Sequence, residues 1–101
     1  QVNESQQFTK DYQLYANYPN PFNPVTTLQY SLSRTGHVAL NVFDVTGRHI
    51  RELVNDIRRS GTYSIQWDGT DDQGNPVASG MFFYRLSTEL YQETRKMSLI
   101  R

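Results

Sequence analysis

"TLQYSL", residues 27–32, decides the fold: Leu28, Tyr30 and Leu32 are apolar, and the residues between them are polar. A period of two puts alternate side chains on opposite faces, the geometry of a half-buried β-strand and not of a helix. Working outward, the same alternation returns in "HVALNVFD" (37–44) with Val38, Leu40 and Val42, and in "TYSIQWD" (62–68) with Tyr63, Ile65 and Trp67. Turn chemistry separates these runs. "SRTG" (33–36) divides the first two, and in "DVTGR" (44–48) Gly47 supplies the positive φ that a tight turn requires.

Two further runs are less regular. In "HIRELVND" (49–56), Ile50, Leu53 and Val54 suit a helical face, whereas Ile50, Glu52 and Val54 alternate. Few residues separate it from its neighbours, so it reads as a strand. "MFFYRLST" (81–88) is apolar on both sides at its start, and Arg85 shares a face with Met81 and Phe83. That leaves Phe82, Tyr84 and Leu86 to point inward. "YQETRKMSLI" (91–100) reads as a last strand with Met97 and Leu99 on one face. Short strands at intervals of eight to twelve residues, with no helix, predict an all-β fold. The expected architecture is an immunoglobulin- or fibronectin-like antiparallel β-sandwich of six to seven strands.

The 101 residues form one domain, large enough to bury about two-thirds of the unfolded surface. The chain has no cysteine, so its core carries the fold without disulfides or thiolate metal sites. Ten basic and ten acidic residues balance, which argues against nucleic acid as a partner. No long apolar run is present to insert in a membrane, and the first residues lack a signal-peptide pattern. Residues 1–16 are polar and unpatterned and read as a linker, with the sandwich spanning 17–101.

Candidate sites are weighed on chemistry. His37 and His49 stand in no nucleophile or metal motif, and the domain is expected to be non-enzymatic and without cofactor. Asp68, Asp71, Asp72 and Asn75 offer oxygen ligands, but their spacing is not that of a calcium loop, and turn building explains them. No metal is expected. Trp67 could stack on sugars, yet its phase with Ile65 places it in the core. Met81 and Phe83 suit an exposed partner patch. Arg48, His49, Arg51, Arg58 and Arg59, broken by Glu52 and Asp56, read as a charged strand edge.

"YANYPNPFNP" (15–24) carries three prolines and one central aromatic. Its residues predict a rigid extended segment along the sandwich, with Phe22 plugging an open end of the core.

Taken in order, "NYPNPFNPVTTLQYSL", "VALNVFDVTGRHIREL", "GTYSIQWDG", "SGMFFYRL" and "ETRKMSLIR" resemble the type A C-terminal sorting domain of the type IX secretion system. The resemblance covers 15–101. It implies a β-sandwich at the end of an exported protein, read by the outer-membrane translocon and removed by a signal peptidase. The upstream cargo would lie in the same chain and reach the cell surface or the medium. By that resemblance Pro19, Asn20, Pro21 and Phe22 mark the domain start, and Gly80 precedes the penultimate strand. Arg95, Lys96, Met97 and Leu99 belong to the segment associated with signal activity. The longer "WDGTDDQGNPVASG" (67–80) departs from that pattern. Residues 36–86 are similar instead to the immunoglobulin-like domain of flagellar hook-capping proteins, which implies a structural interaction module. A carbohydrate-binding module is a further alternative.

Overall fold

The computed structural model describes residues 12–101. It contains seven strands: β1 (Gln13–Leu14), β2 (Thr26–Leu32), β3 (Gly36–Asp44), β4 (His49–Arg58), β5 (Gly61–Trp67), β6 (Gly80–Thr88) and β7 (Gln92–Leu99). They form a three-stranded sheet in the order β1-β2-β5 and a four-stranded sheet in the order β4-β3-β6-β7. All strand pairs are antiparallel. This is the expected β-sandwich, and β7 and β1 are edge strands on the same side of it.

The alternation places the core. Leu28, Tyr30 and Leu32 of β2 face Val38, Leu40 and Val42 of β3 and Phe82, Tyr84 and Leu86 of β6, all of them buried. Tyr63 and Ile65 keep the inward phase but are only partly covered, because β5 is the free edge of the smaller sheet. Each fully buried Leu or aromatic ring removes enough apolar area to contribute about 1.5–3 kcal/mol before entropy is counted.

β4 explains its own ambiguity. Its register against β3 slips twice, between Leu40 and Asn41 and between Val42 and Phe43. Leu53 and Ile50 are the extra residues at those slips. A β-bulge sets two residues opposite one and resets the phase of the side chains. Ile50 and Val54 are both buried although a regular strand of this spacing would also bury Glu52, which is exposed. The helix-like spacing is therefore that of a twice-bulged strand. The β3–β4 turn closes as the sequence predicts: Gly47 has φ +87°, and Asp44 Oδ1 accepts from Thr46 N (2.9 Å) and Arg48 N (3.0 Å).

Two expectations are corrected. The folded unit does not start at residue 17, because Tyr12 and Leu14 are core residues and β1 pairs with β2 at Leu14 and Tyr30. Tyr12 also stacks on Tyr91, with ring centroids 5.5 Å apart. A strand of two residues is too short to show a period, so it hides in a polar stretch. The rest of the expected linker, 1–11, lies outside the described residues. Second, the proline-rich segment is not extended. It bends at Pro19–Pro21 and again at Asn23–Pro24, so that Phe22 turns inward.

Candidate recognition site at the proline-rich lead-in and the last strand

The bends are held by two buried polar residues. Asn17 Nδ2 donates to Thr26 Oγ1 (3.0 Å) and to Pro19 O (3.2 Å), and Thr26 Oγ1 donates to Pro19 O (2.8 Å). These bonds satisfy the Asn17 amide N–H, the Thr26 hydroxyl and the Pro19 carbonyl, and leave Asn17 Oδ1 without a partner. With the Pro19 carbonyl fixed, Asn20 and Phe22 are aimed at β7. Ser98 N donates to Asn20 Oδ1 (3.0 Å), Phe22 N donates to Ser98 O (3.0 Å), and Ile100 N donates to Phe22 O (2.9 Å). Phe22 and Leu99 thus form a parallel β-bridge.

The Phe22 ring enters the end of the sandwich. It lies 5.7 Å from the Trp67 ring, which in turn meets Phe82 edge-on at 5.3 Å. Phe22 and Trp67 are 2% and 1% exposed. Such contacts between rings add about 0.5–1.5 kcal/mol to the area they bury. Trp67 donates its indole N–H to Thr70 O (2.8 Å) and has no face left for a sugar.

Most residues singled out from the sequence meet here. Asn20 and Phe22 touch β7 directly, Pro19 supplies the fixed carbonyl, and Pro21 is exposed between them. Met97 and Leu99 are buried, and Gly80 pairs with Leu99 in the ladder. Lys96 is exposed on the outer face opposite Phe83. Arg95 is separate in role. Its Nε donates to Leu14 O (2.7 Å) and lies 3.5 Å from Glu93 Oε2, tying the two sheet edges together. Glu93 also accepts from the Tyr91 hydroxyl. Burial, helped by Glu93, pushes the Tyr91 pKa up to about 12.

Arg101 completes the junction, and the sequence does not signal it. Its Nε donates to Val77 O (2.6 Å), its Nη2 to Gly69 O (2.8 Å), and its N–H to Ser79 Oγ (2.9 Å). Asn17 and Thr26 were equally unmarked. A loop asparagine, a strand threonine and a basic residue at a tail look solvated until their partners are known.

The remaining candidates have structural duties. Asp71 Oδ1 accepts from Gln73 N (3.0 Å) and Asn75 N (2.9 Å), Asp68 accepts from Thr70 Oγ1 (2.6 Å), and Asp72 accepts from Glu52 N (2.9 Å). The Thr70 hydroxyl bond holds the Asp68 carboxyl below the usual range. Among the described residues no three His, Asp or Glu side chains converge as metal ligands. His37 and His49 bond Asn55 and Asn41 on the surface. The basic cluster is dispersed: Arg48 pairs with Asp44, Arg51 binds Thr70, and Arg58 lies over the Tyr63 ring. Met81 is exposed and Phe83 partly so, on the outer face.

The family model described as FlgD Ig-like domain matches residues 24–92. The chain belongs to that family. The match begins after Phe22 and ends at the first residue of β7, so the FlgD Ig-like span holds β2 to β6 but neither β1 nor the junction of Phe22 with β7. No curated protein matches the chain in sequence. Among solved structures, dimeric latent PorU from Porphyromonas gingivalis is similar with TM-score 0.70 and 20% identity, over 86% of this chain and 9% of PorU. PorZ, a surface component of the type IX secretion system of the same organism, is similar with TM-score 0.62 and 23% identity, over 98% of this chain and 13% of PorZ. FlgD from Xanthomonas campestris is similar with TM-score 0.60 and 18% identity, over 95% of this chain and 74% of FlgD. At these identities the likeness is one of fold. The chain spans about a tenth of the PorU and PorZ chains.

Proposed function

We propose that this FlgD-type Ig-like domain is a non-catalytic sorting domain, which addresses a cargo in the same chain to the type IX secretion system. The observation that carries this reading is the junction of Phe22 with β7. It joins the first and last of the five segments that carry the resemblance to the sorting family, and both Phe22 and Leu99 lie outside the matched FlgD Ig-like span. PorZ, whose description names the type IX system, is similar in fold over 98% of this chain. The partners in this reading are the outer-membrane translocon and its signal peptidase, and the destination of the cargo is the cell surface or the medium.

The test is export of a reporter fused ahead of Gln1–Arg101 in a host with the type IX system. The intact fusion should leave the cell. Removing 96–101 should hold it in the periplasm, but that change also deletes the buried Met97 and Leu99. Lys96→Ala, at an exposed position, separates recognition from folding and should reduce export with little change in stability. Equal export of the intact fusion and both variants would sink the proposal. A second reading, a structural module of the hook-capping kind, rests on the 24–92 match. It predicts that the fusion is retained whichever variant is used.

A further inference from the structure

β7 is an edge strand whose outward backbone groups are only partly used. Its ladder with β6 runs without a register slip from Gly80–Leu99 to Ser87–Gln92. In an antiparallel ladder alternate residues direct both N–H and C=O away from the partner strand. Ser98 is such a residue, since its N–H goes to Asn20 and its C=O receives Phe22. By the same period the N–H and C=O of Lys96 and Thr94 face outward, and among the described residues they have no backbone partner there.

Those groups open into a cleft of about 590 Å³ between β7 and the lead-in, lined among others by Asn17, Asn20, Phe83, Thr94 and Lys96. Asn17 is 4% exposed, and its Oδ1 is buried without a hydrogen-bond partner. The amide cannot be turned to cure this, because its Nδ2 serves Thr26 and Pro19. That atom is closed off from solvent, so the groups the cleft offers to a ligand are the unpaired N–H and C=O of Thr94 and Lys96. The next positions on this edge already show what it accepts. Phe22, a single bridging residue from the same chain, occupies the groups of Ser98 and Ile100.

We propose that the seam at Thr94 and Lys96 binds an extended peptide strand of a partner protein, with an acidic side chain opposite Lys96. Backbone pairing supplies the affinity, as in strand addition to an open sheet edge. Lys96 supplies selectivity. Its ammonium is exposed and has no ion pair among the described residues, whereas Arg95 is engaged with Leu14 and Glu93. Opposite charges facing one another across a strand pair are favourable and like charges are not. The inference goes beyond the sorting reading and holds for a structural module as well.

The test is an NMR titration of the isolated chain with two probes. One is a short blocked peptide of alternating Val and Thr with Glu at its centre, and the other carries Lys there. The amides of Thr94 and Lys96 should shift selectively, and the Glu peptide should bind about twofold to fivefold tighter. Lys96→Glu should invert that preference while leaving the backbone edge intact. Lys96→Pro removes the outward N–H and should weaken both peptides about tenfold, with Trp67 fluorescence reporting that the variant is folded. Shifts scattered over the whole surface, no shift at Thr94 and Lys96, or an unchanged preference in Lys96→Glu would each overturn the proposal.

Discussion

Phe22 and Leu99 stand near opposite ends of the sequence yet share a parallel β-bridge, and both side chains are buried. The lead-in and the last strand are therefore one structural unit, which no single segment of the sequence contains.

That unit sets the cost of losing Phe22. Phe22→Ala should destabilise the domain by about 3–5 kcal/mol, because it removes the ring against Trp67 and leaves a cavity at the end of the core. Val25→Ala, at an exposed position next to the same segment, should change stability by no more than about 0.5 kcal/mol. Urea unfolding of the two variants makes the comparison. Similar values would mean that the segment acts through its backbone alone.

Trp67→Ala should cost about 3–5 kcal/mol, since Trp67 packs against both Phe22 and Phe82. Native-state fluorescence of the parent protein should show an indole shielded from quenchers. A loss under about 1 kcal/mol would mean an exposed ring.

Gly69 has φ +77°, and a Cβ there would lie 2.8 Å from Arg101 Nη2, 3.4 Å from Pro24 O and 3.5 Å from Leu99 Cδ2. Gly69→Ala should therefore destabilise by about 1–3 kcal/mol through backbone strain and crowding. Part of that cost is displacement of the Arg101 clamp. In an Arg101→Ala background the same substitution should cost less, and a double-mutant cycle measures the coupling. A coupling of zero would show that Arg101 does not hold this loop in solution.

Alkaline stability follows from the tyrosines. Burial raises the pKa of Tyr30 and Tyr84, and raises that of Tyr91 to about 12, against an ordinary value of 10.0. The folded state then holds protons that the unfolded state releases, so stability is intact below about pH 10 and falls as pH rises through the folded values. Tyrosinate absorbance should lag behind free tyrosine and then rise together with unfolding. Tyr91→Phe should flatten the Tyr91 contribution to this alkaline decline, and an identical decline in the variant would refute the assignment.

The sandwich was legible where one sheet face is buried and the other wet. β2 and β5 carry a clean period of two because nothing interrupts the ladder between them, and β3 keeps its period because the extra residues at its two slips lie on β4. β4 was half legible, since two bulges turn an alternating strand into a helix-like spacing that only the partner strand can explain. β1 was not legible at all: Leu14 owes its burial to Tyr30 and to the neighbouring sheet, not to any local pattern. The candidate site divides in the same way. Phe22 is conspicuous as an aromatic among prolines, whereas Asn17 and Thr26 acquire meaning only once the bends bring Pro19 O to them, and Arg101 only from Gly69 and Val77 far away in sequence. Long-range hydrogen bonds to carbonyls leave no trace in composition.

β1 and β7 run in the same direction, so Tyr12 and Leu99 stand at opposite poles of the sandwich. Tyr12 sits beside Tyr91 at one end, and Leu99 sits beside Phe22 at the other. A pull applied between Tyr12 and Leu99 is directed along the strands, while the bonds of a ladder lie across them. All the cross-links between β6 and β7, from Gly80–Leu99 to Ser87–Gln92, then share the tension at once, and so does the Phe22 bridge. The domain is built to resist traction from its two ends. A sideways tug on Leu99 meets those bonds one after another and opens them like a zip.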